Sequence, residues 1–250
     1  MKAVVVEEAG ADFETVERDV PEPEDDEVLV GVEACGVCHS DVFVKEGGYP
    51  GVEYPRVPGH EVVGHVEATG SEVREWTEGD YVGAGWHGGH CFTCDACRKG
   101  EFNLCEDAEI TGLTHDGGYA EYMTAPHESL AAVPESLGAA DAAPLLCAGI
   151  TTYNALRNSG ARPGDLVAVQ GIGGLGHLAV QYAHASGYET VAVSRGEKKR
   201  DLAGELGADR YVDSEDEDPS GALSEMGGAD VILSTAPSAD AMEAVVGGVG

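Results

Sequence analysis

Positive charge is scarce in this chain. Five lysines and nine arginines stand against 46 acidic residues, giving a formal net charge of −32 over 250 residues. Nucleic acid is a disfavoured partner, because binding a phosphate backbone requires clustered cations. Long apolar runs are also missing. No stretch approaches the ~20 residues a membrane helix needs, and the first residues, MKAVVVEEAG, lack the apolar core of a secretory signal. The chain therefore reads as soluble and cytoplasmic, with neither membrane nor nucleic-acid partner. Cysteine is sparse and odd in number, at seven, which suits a complete disulfide framework poorly. Reduced intracellular thiols that cluster more often bind metal. A chain of this length holds one or two domains and buries a core without disulfide help. The acids are spread along the whole sequence. That pattern fits a protein of a salt-loving host, whose cytoplasm screens self-repulsion. Its expected cost is lost stability in dilute buffer.

What is present divides the chain by texture. The first part carries short β patterns at 28–37, 62–70, 80–86 and 119–125, bounded by turn residues. It reads as an irregular barrel or sandwich whose loops hold most of the His and Cys. Residues 139–156 read as helical, interrupted near Pro144. From residue 161 strands and helices alternate, the pattern of βαβ units and a parallel sheet. The fold class is thus α/β with a β-rich domain, divided into residues 1–145 and 146–250. The parallel sheet is expected to want at least one more strand beyond Gly250. The acidic run at 213–222 reads as a solvated loop or helix start without chemistry.

Four of the seven cysteines fall in GHCFTCDACRKGEFNLC, residues 89–105. Cys91, Cys94, Cys97 and Cys105 follow C-x2-C-x2-C-x7-C, a spacing that lets four thiolates converge on one tetrahedral ion without long-range folding. Structural zinc favours such a closed sulfur shell. The rival is reduced thiols or a redox pair. His87 and His90 lie close by but are not needed as ligands. Elsewhere, Cys38 in ACGVCHSD, His60 in PGHEVVG and Cys147 make a Cys2His set, of the type that leaves a fourth zinc position for water or substrate. Each alone is weak evidence, since lone Cys and His residues are usually packed in the interior. Cys35 reads as such a core residue.

QGIGGLGHLAV, residues 170–180, contains G-x-G-x-x-G at Gly171, Gly173 and Gly176, with Gly174 inside it. The motif follows an apolar strand and opens a helix, the context a dinucleotide fingerprint requires. The glycines allow a tight turn, close approach to a pyrophosphate at the helix N-terminus, and close helix–strand packing. The rival is a glycine-rich turn with no ligand. The next strand ends at Ser194, where an NAD site would carry an acid. Arg195 follows, with Lys198, Lys199 and Arg200 nearby. Serine and arginine can hold a 2′-phosphate that an acid would repel, so NADP(H) is expected over NAD(H). The rival is that these cations merely begin the following helix.

In order, CGVCHSD, PGHEVVG, the four-cysteine loop, LLCAGITTY and GIGGLG resemble the zinc-dependent alcohol dehydrogenases of the medium-chain dehydrogenase/reductase superfamily. The resemblance spans essentially the whole chain. It implies a GroES-like catalytic domain with a structural zinc lobe at about 86–106, then a Rossmann doubly wound parallel sheet, with the active site in the cleft between them. It implies two Zn2+ per subunit and a small alcohol or aldehyde substrate. It also implies a homodimer or homotetramer for a chain continuing past residue 250. Cys38, His60 and Cys147 match the catalytic zinc ligands, and Cys91, Cys94, Cys97 and Cys105 the structural ones. Ser40 matches the hydroxyl that begins the proton relay, and His39 a position often facing the cofactor phosphates. Asp41 matches a support for the zinc ligands, Glu61 an acid that can approach the metal during ligand exchange, and Thr151 a residue beside the nicotinamide. Phe43 stands where some members place a relay histidine, so the proton must leave by the cofactor ribose, His39 or water. Cys147, where polyol-type relatives carry glutamate, favours the alcohol type. The alternatives are a sugar or polyol dehydrogenase of the same architecture and a non-catalytic nucleotide-binding relative.

Overall fold

Alternating valines build the first sheet. In the computed structural model, which describes residues 1–250, Val28 and Val30 of one strand meet Val62 and Val66 of the next, all nearly inaccessible to solvent. Burying each such side chain contributes about 1.5 kcal/mol. The chain divides into two units, Met1–Cys147 and Ala148–Gly250. Unit one contains β1 (Lys2–Val5), β2 (Glu14–Glu17), β3 (Glu27–Cys35), α1 (Asp41–Glu46), β4 (Val62–Thr69), β5 (Tyr81–Ala84) and β6 (His87–Gly89). It continues with β7 (Glu109–Ile110), β8 (Tyr122–Pro126), β9 (Leu130–Ala132) and α2 (Ala139–Ala142). Five strands form an antiparallel sheet in the order β8-β3-β4-β5-β9. Register shifts at Leu29/Val30 and Val32/Ala34 bend β3 against β4, as bulges do. The pairs β1–β2 and β6–β7 are separate two-stranded ribbons.

Unit two contains α3 (Ala148–Asn158), β10 (Leu166–Gln170), α4 (Gly174–Ala185), β11 (Glu189–Ser194), α5 (Arg200–Glu205) and β12 (Arg210–Asp213). α6 (Pro219–Glu225), β13 (Val231–Ser234) and α7 (Ala239–Val246) complete it. Its sheet is wholly parallel, in the order β12-β11-β10-β13. β10 reads LVAVQ and is buried along its whole length, the continuous apolar run of a strand covered on both faces. The chain moves outward from β10 to β12, then returns through α6 to the other side of β10. A switch point therefore lies between β10 and β13, where open α/β sheets bind ligands. Pro219 at the first turn of α6 and the Asp218 carboxylate, which accepts from Gly221 N–H at 3.0 Å, start that helix. No helix is long and apolar enough to cross a membrane.

The expected strands and helices are present with shifted ends. β1, β2, β6, β7, β9, β12 and α1, short elements with little pattern of their own, are additions. The helix expected at 139–156 is three pieces: α2, a 3-10 turn over Ala143–Leu146 that contains Pro144, and α3. The proline cannot donate to a continuous ladder. The acidic run at 213–222 is not wholly solvated either, because Asp213 is only 3% exposed at the end of β12.

Candidate metal centres and nucleotide loop

The lobe forms because its backbone serves its sulfurs. Cys94 N–H donates to Cys91 Sγ at 3.3 Å, Cys97 N–H to Cys94 Sγ at 3.5 Å, and Cys91 N–H to Cys105 Sγ at 3.3 Å. These bonds turn the loop so that one ligand atom from each of the four cysteines lies within 4.8 Å of the others. Cys105 Sγ is 3.6 Å from Cys91 Sγ and 4.0 Å from Cys94 Sγ. The edge of a ZnS4 tetrahedron with ~2.3 Å bonds is ~3.8 Å, so the set fits zinc. All seven cysteines are free of disulfides. The Thr93 hydroxyl and neighbouring N–H groups pull the Cys91 thiol down to about 6, while burial pushes Cys97 up to about 12. His87 Nε2 and His90 Nδ1 are 3.0 Å apart, and the His90 ring packs against Phe92 and Phe102 at 4.2 Å each. Both histidines stay outside the sulfur set.

The second set draws on three distant stretches. Cys38 precedes α1, His60 and Glu61 enter β4, and Cys147 follows the Pro144 turn. Their ligand atoms also lie within 4.8 Å of one another, with Cys38 and Cys147 Sγ 3.8 Å apart. His60 is 1% exposed and Glu61 4%. Both ring nitrogens of His60 are buried without a hydrogen bond, and Nδ1 lies 3.1 Å from Asp41 Oδ1 as an ion-pair contact. Asp41 Oδ2 accepts from Tyr119 Oη at 2.6 Å and from Cys38 N–H at 2.9 Å. The neighbouring Cys147 thiol, then the His60 imidazole, hold the Cys38 thiol down at about 3, and the same sulfur contact raises Cys147. Burial disfavours a charged His60, but Asp41 and Cys38 outweigh it and lift the imidazole to about 9. Burial likewise opposes the Asp41 charge, yet His60 and Tyr119 keep its carboxyl below the usual range. A half-buried thiolate and two buried acids around one histidine favour a cation. The donors and the orphaned Nε2 fit a zinc ion.

Around this set, Ser40 lies beside the Cys38 thiol and helps to hold it down. His39 is exposed, and Phe43 is 42% exposed. Two supports carried no signal in the sequence. Tyr119 lies 78 residues from Asp41, and Trp86 packs edge-on against the His60 ring at 4.9 Å. Cys35, whose thiol burial pushes up to about 12, ends β3 opposite Val62 and stays outside the donor set.

In unit two the glycine motif lies at the carboxyl end of β10, at the switch point. A Cβ on Gly176 would sit 1.7 Å from the Gly171 carbonyl oxygen, so only glycine lets α4 pack there, whereas Gly173 and Gly174 face open space. Gly171 and Gly173 border a cavity of about 250 Å³ lined also by Ser194, Arg195, Ser214 and Thr235. A cradle of bare backbone beside a helix N-terminus fits a dinucleotide. Thr235, missed in the sequence, donates its hydroxyl to the carbonyls of Gln170 and Gly171 at 2.9 and 2.7 Å and ties β13 to the motif. Lys199 is exposed in the turn before α5, and Thr151 is exposed on α3. Neither lines the cavity. A larger cavity of about 390 Å³ beside Arg18 and Asp116 in unit one is bordered by none of the candidate site residues.

Residues 24–135 match the alcohol dehydrogenase GroES-like domain family, and residues 174–249 match the zinc-binding dehydrogenase family. The chain is 47% identical over 249 residues to alcohol dehydrogenase patD of Penicillium expansum, covering all of this chain and 73% of that protein. Among solved structures, an NAD-dependent alcohol dehydrogenase superposes with a TM-score of 0.93 at 32% identity, over 100% of this chain and 75% of that one. A putative zinc-binding dehydrogenase from Sinorhizobium meliloti bound to NADP superposes with a TM-score of 0.87 at 34% identity, over 96% and 71%. The GroES-like and Rossmann architecture is thereby established, and the neighbours use both nucleotides.

Proposed function

The chain belongs to the zinc-binding alcohol dehydrogenases of the medium-chain dehydrogenase/reductase superfamily, and from that premise we propose that it transfers hydride reversibly between a small alcohol and NADP+. The observation that carries this reading is the convergence of Cys38, His60 and Cys147, with His60 buried and Ser40 beside the Cys38 thiol. Zinc held by these three residues supplies Lewis-acid polarisation of the substrate oxygen. Asp41 fixes the His60 tautomer by facing Nδ1, leaving Nε2 as the ligand atom. Tyr119 holds Asp41 in place. The Ser40 hydroxyl takes the alcohol proton and passes it outward. Phe43 cannot carry a proton, so exposed His39, the cofactor ribose or water completes the path. Cys91, Cys94, Cys97 and Cys105 hold a second, closed zinc that keeps the lobe folded.

For the nucleotide, Gly171, Gly173, Gly174 and Gly176 cradle the pyrophosphate. Ser194 and Arg195 at the cavity edge favour a 2′-phosphate. Thr151 and Lys199 are assigned to the same cofactor, Thr151 at the nicotinamide. The dispersed acids adapt the protein to concentrated salt, and it assembles as a homodimer or homotetramer in the cytoplasm. The test is reduction of benzaldehyde and a short aliphatic aldehyde in concentrated KCl, with NADPH against NADH, on protein assayed for zinc. Faster turnover with NADPH supports the whole reading. Faster turnover with NADH keeps the enzyme class and removes the phosphate argument. No turnover on fully zinc-loaded protein overturns the assignment.

A further inference from the structure

Asp213 is the most buried acid of the acid-rich segment at 213–218, and burying a carboxylate is costly unless it is hydrogen-bonded. Its partners explain it. Oδ1 accepts from Gly196 N–H at 2.7 Å and from Glu215 N–H at 2.9 Å. The Gly196 carbonyl in turn accepts from Tyr211 Oη at 2.6 Å. Both backbone groups of one residue are therefore held by β12, in the loop that leaves β11. Gly196 has φ 67° and ψ 167°, a region essentially reserved for glycine. Arg195 immediately precedes it, exposed and on the cavity wall with Ser194 and Ser214. Asp213 itself does not line that cavity. Alternation along the strand turns Ser214 toward it and leaves Asp213 beneath the loop.

The other cations nearby are committed or remote. Arg200 pairs through two nitrogens with Glu197 and lies over the Tyr211 ring at 4.6 Å. Lys198 and Lys199 do not border the cavity. The surroundings are otherwise acidic: carboxylates of Glu197, Asp213 and Asp216 lie within 4.8 Å of one another. A Gly196 Cβ would stand 3.3 Å from Glu215. An unrestrained Arg195 would find these acids before it found a phosphate. We infer that Asp213 and Tyr211 are positioning residues for cofactor choice, clamping Gly196 so that Arg195 is presented to the 2′-phosphate of NADP(H). This inference rests on the NADP reading given above.

The experiment uses the full chain, zinc-loaded, in concentrated KCl. Dissociation constants for NADPH and NADH are measured by nicotinamide fluorescence in the wild type and in Arg195→Ala, Asp213→Ala, Asp213→Asn and Tyr211→Phe. Arg195→Ala should abolish the preference for NADPH. Loss of a hydrogen bond to a charged group predicts that Asp213→Ala weakens NADPH roughly tenfold with NADH changed less than about twofold. Asp213→Asn, which keeps an acceptor oxygen, should restore most of the preference. Tyr211→Phe, which keeps the ring under Arg200, should cost about threefold for NADPH alone, as expected for a neutral hydrogen bond. If Asp213→Ala and Tyr211→Phe both keep the wild-type ratio while Arg195→Ala loses it, the clamp is wrong and the NADP reading stands. Equal losses for the two nucleotides also overturn the clamp, in favour of a general folding role. A wild type that does not prefer NADPH removes the reading and the clamp together.

Discussion

The lobe gathers its four sulfurs from residues 91–105, whereas the other donor set brings together Cys38, His60, Glu61 and Cys147 from a pre-helical loop, a strand entry and a domain end. The lobe is served by its own backbone, with three N–H groups aimed at sulfur. The dispersed set is served by side chains from elsewhere: Asp41 faces His60, Tyr119 holds Asp41, and Trp86 walls the ring. A closed four-sulfur shell needs only a loop of the right spacing. A set that must keep room for substrate needs a folded sheet to hold its donors apart from solvent and from each other. Local spacing thus suffices for a structural metal site, while an open one is bought with tertiary structure.

The largest effects should fall on the ligands of the dispersed set. Cys38→Ser or His60→Ala should cut aldehyde reduction by ~10³-fold or more, the several kcal/mol expected of lost metal activation, while nucleotide fluorescence binding persists. Retained turnover in either variant would remove the dispersed set from the chemistry. Cys97→Ser, in the lobe, should act the other way round. A loss of ~2–4 kcal/mol would lower Tm by roughly 5–10 °C, with turnover at low temperature reduced only a few-fold, as read by thermal unfolding and initial rates. Asp41→Asn should then lower zinc affinity or turnover ~10–100-fold, the usual effect of losing a partner of a ligating histidine, with Tm nearly unchanged. Zinc titration and steady-state rates check both halves of that statement.

A further expected effect, on metal affinity alone, concerns something the two sets share. Burial pushes the Cys97 thiol up to about 12, and contact with Cys38 raises Cys147. Both therefore hold protons at neutral pH that zinc must displace. Affinity should rise with pH by about tenfold per unit for each proton released, as competition with a chelator from pH 6 to 8 would reveal. A flat profile for either set would mean that its thiols are already ionised before metal arrives.

These contrasts explain which parts of the molecule were legible in the sequence. The lobe and the glycine motif were, because each is a short stretch whose spacing carries its own geometry. Cys38, His60 and Cys147 were grouped by residue type and by the resemblance of their motifs, not by spacing, since nothing local joins β4 to the end of unit one. Tyr119 and Trp86 were invisible for the same reason. They act through Asp41 and His60, and their own surroundings in the chain look like ordinary strand and loop. The acidic run at 213–222 misled because charge usually marks solvent. Asp213 can be buried because the N–H groups of Gly196, 17 residues away, and of Glu215 satisfy its carboxylate.

Cys147 is the last residue of its unit, and that position bears on biosynthesis. On a growing polypeptide the lobe has all its sulfurs once residue 105 is exposed, about 40 residues before the third catalytic ligand. At ~5–20 residues per second this is a lead of about 2–8 s. A nascent chain can thus bring the four lobe sulfurs together before the dispersed donor set has its last thiol.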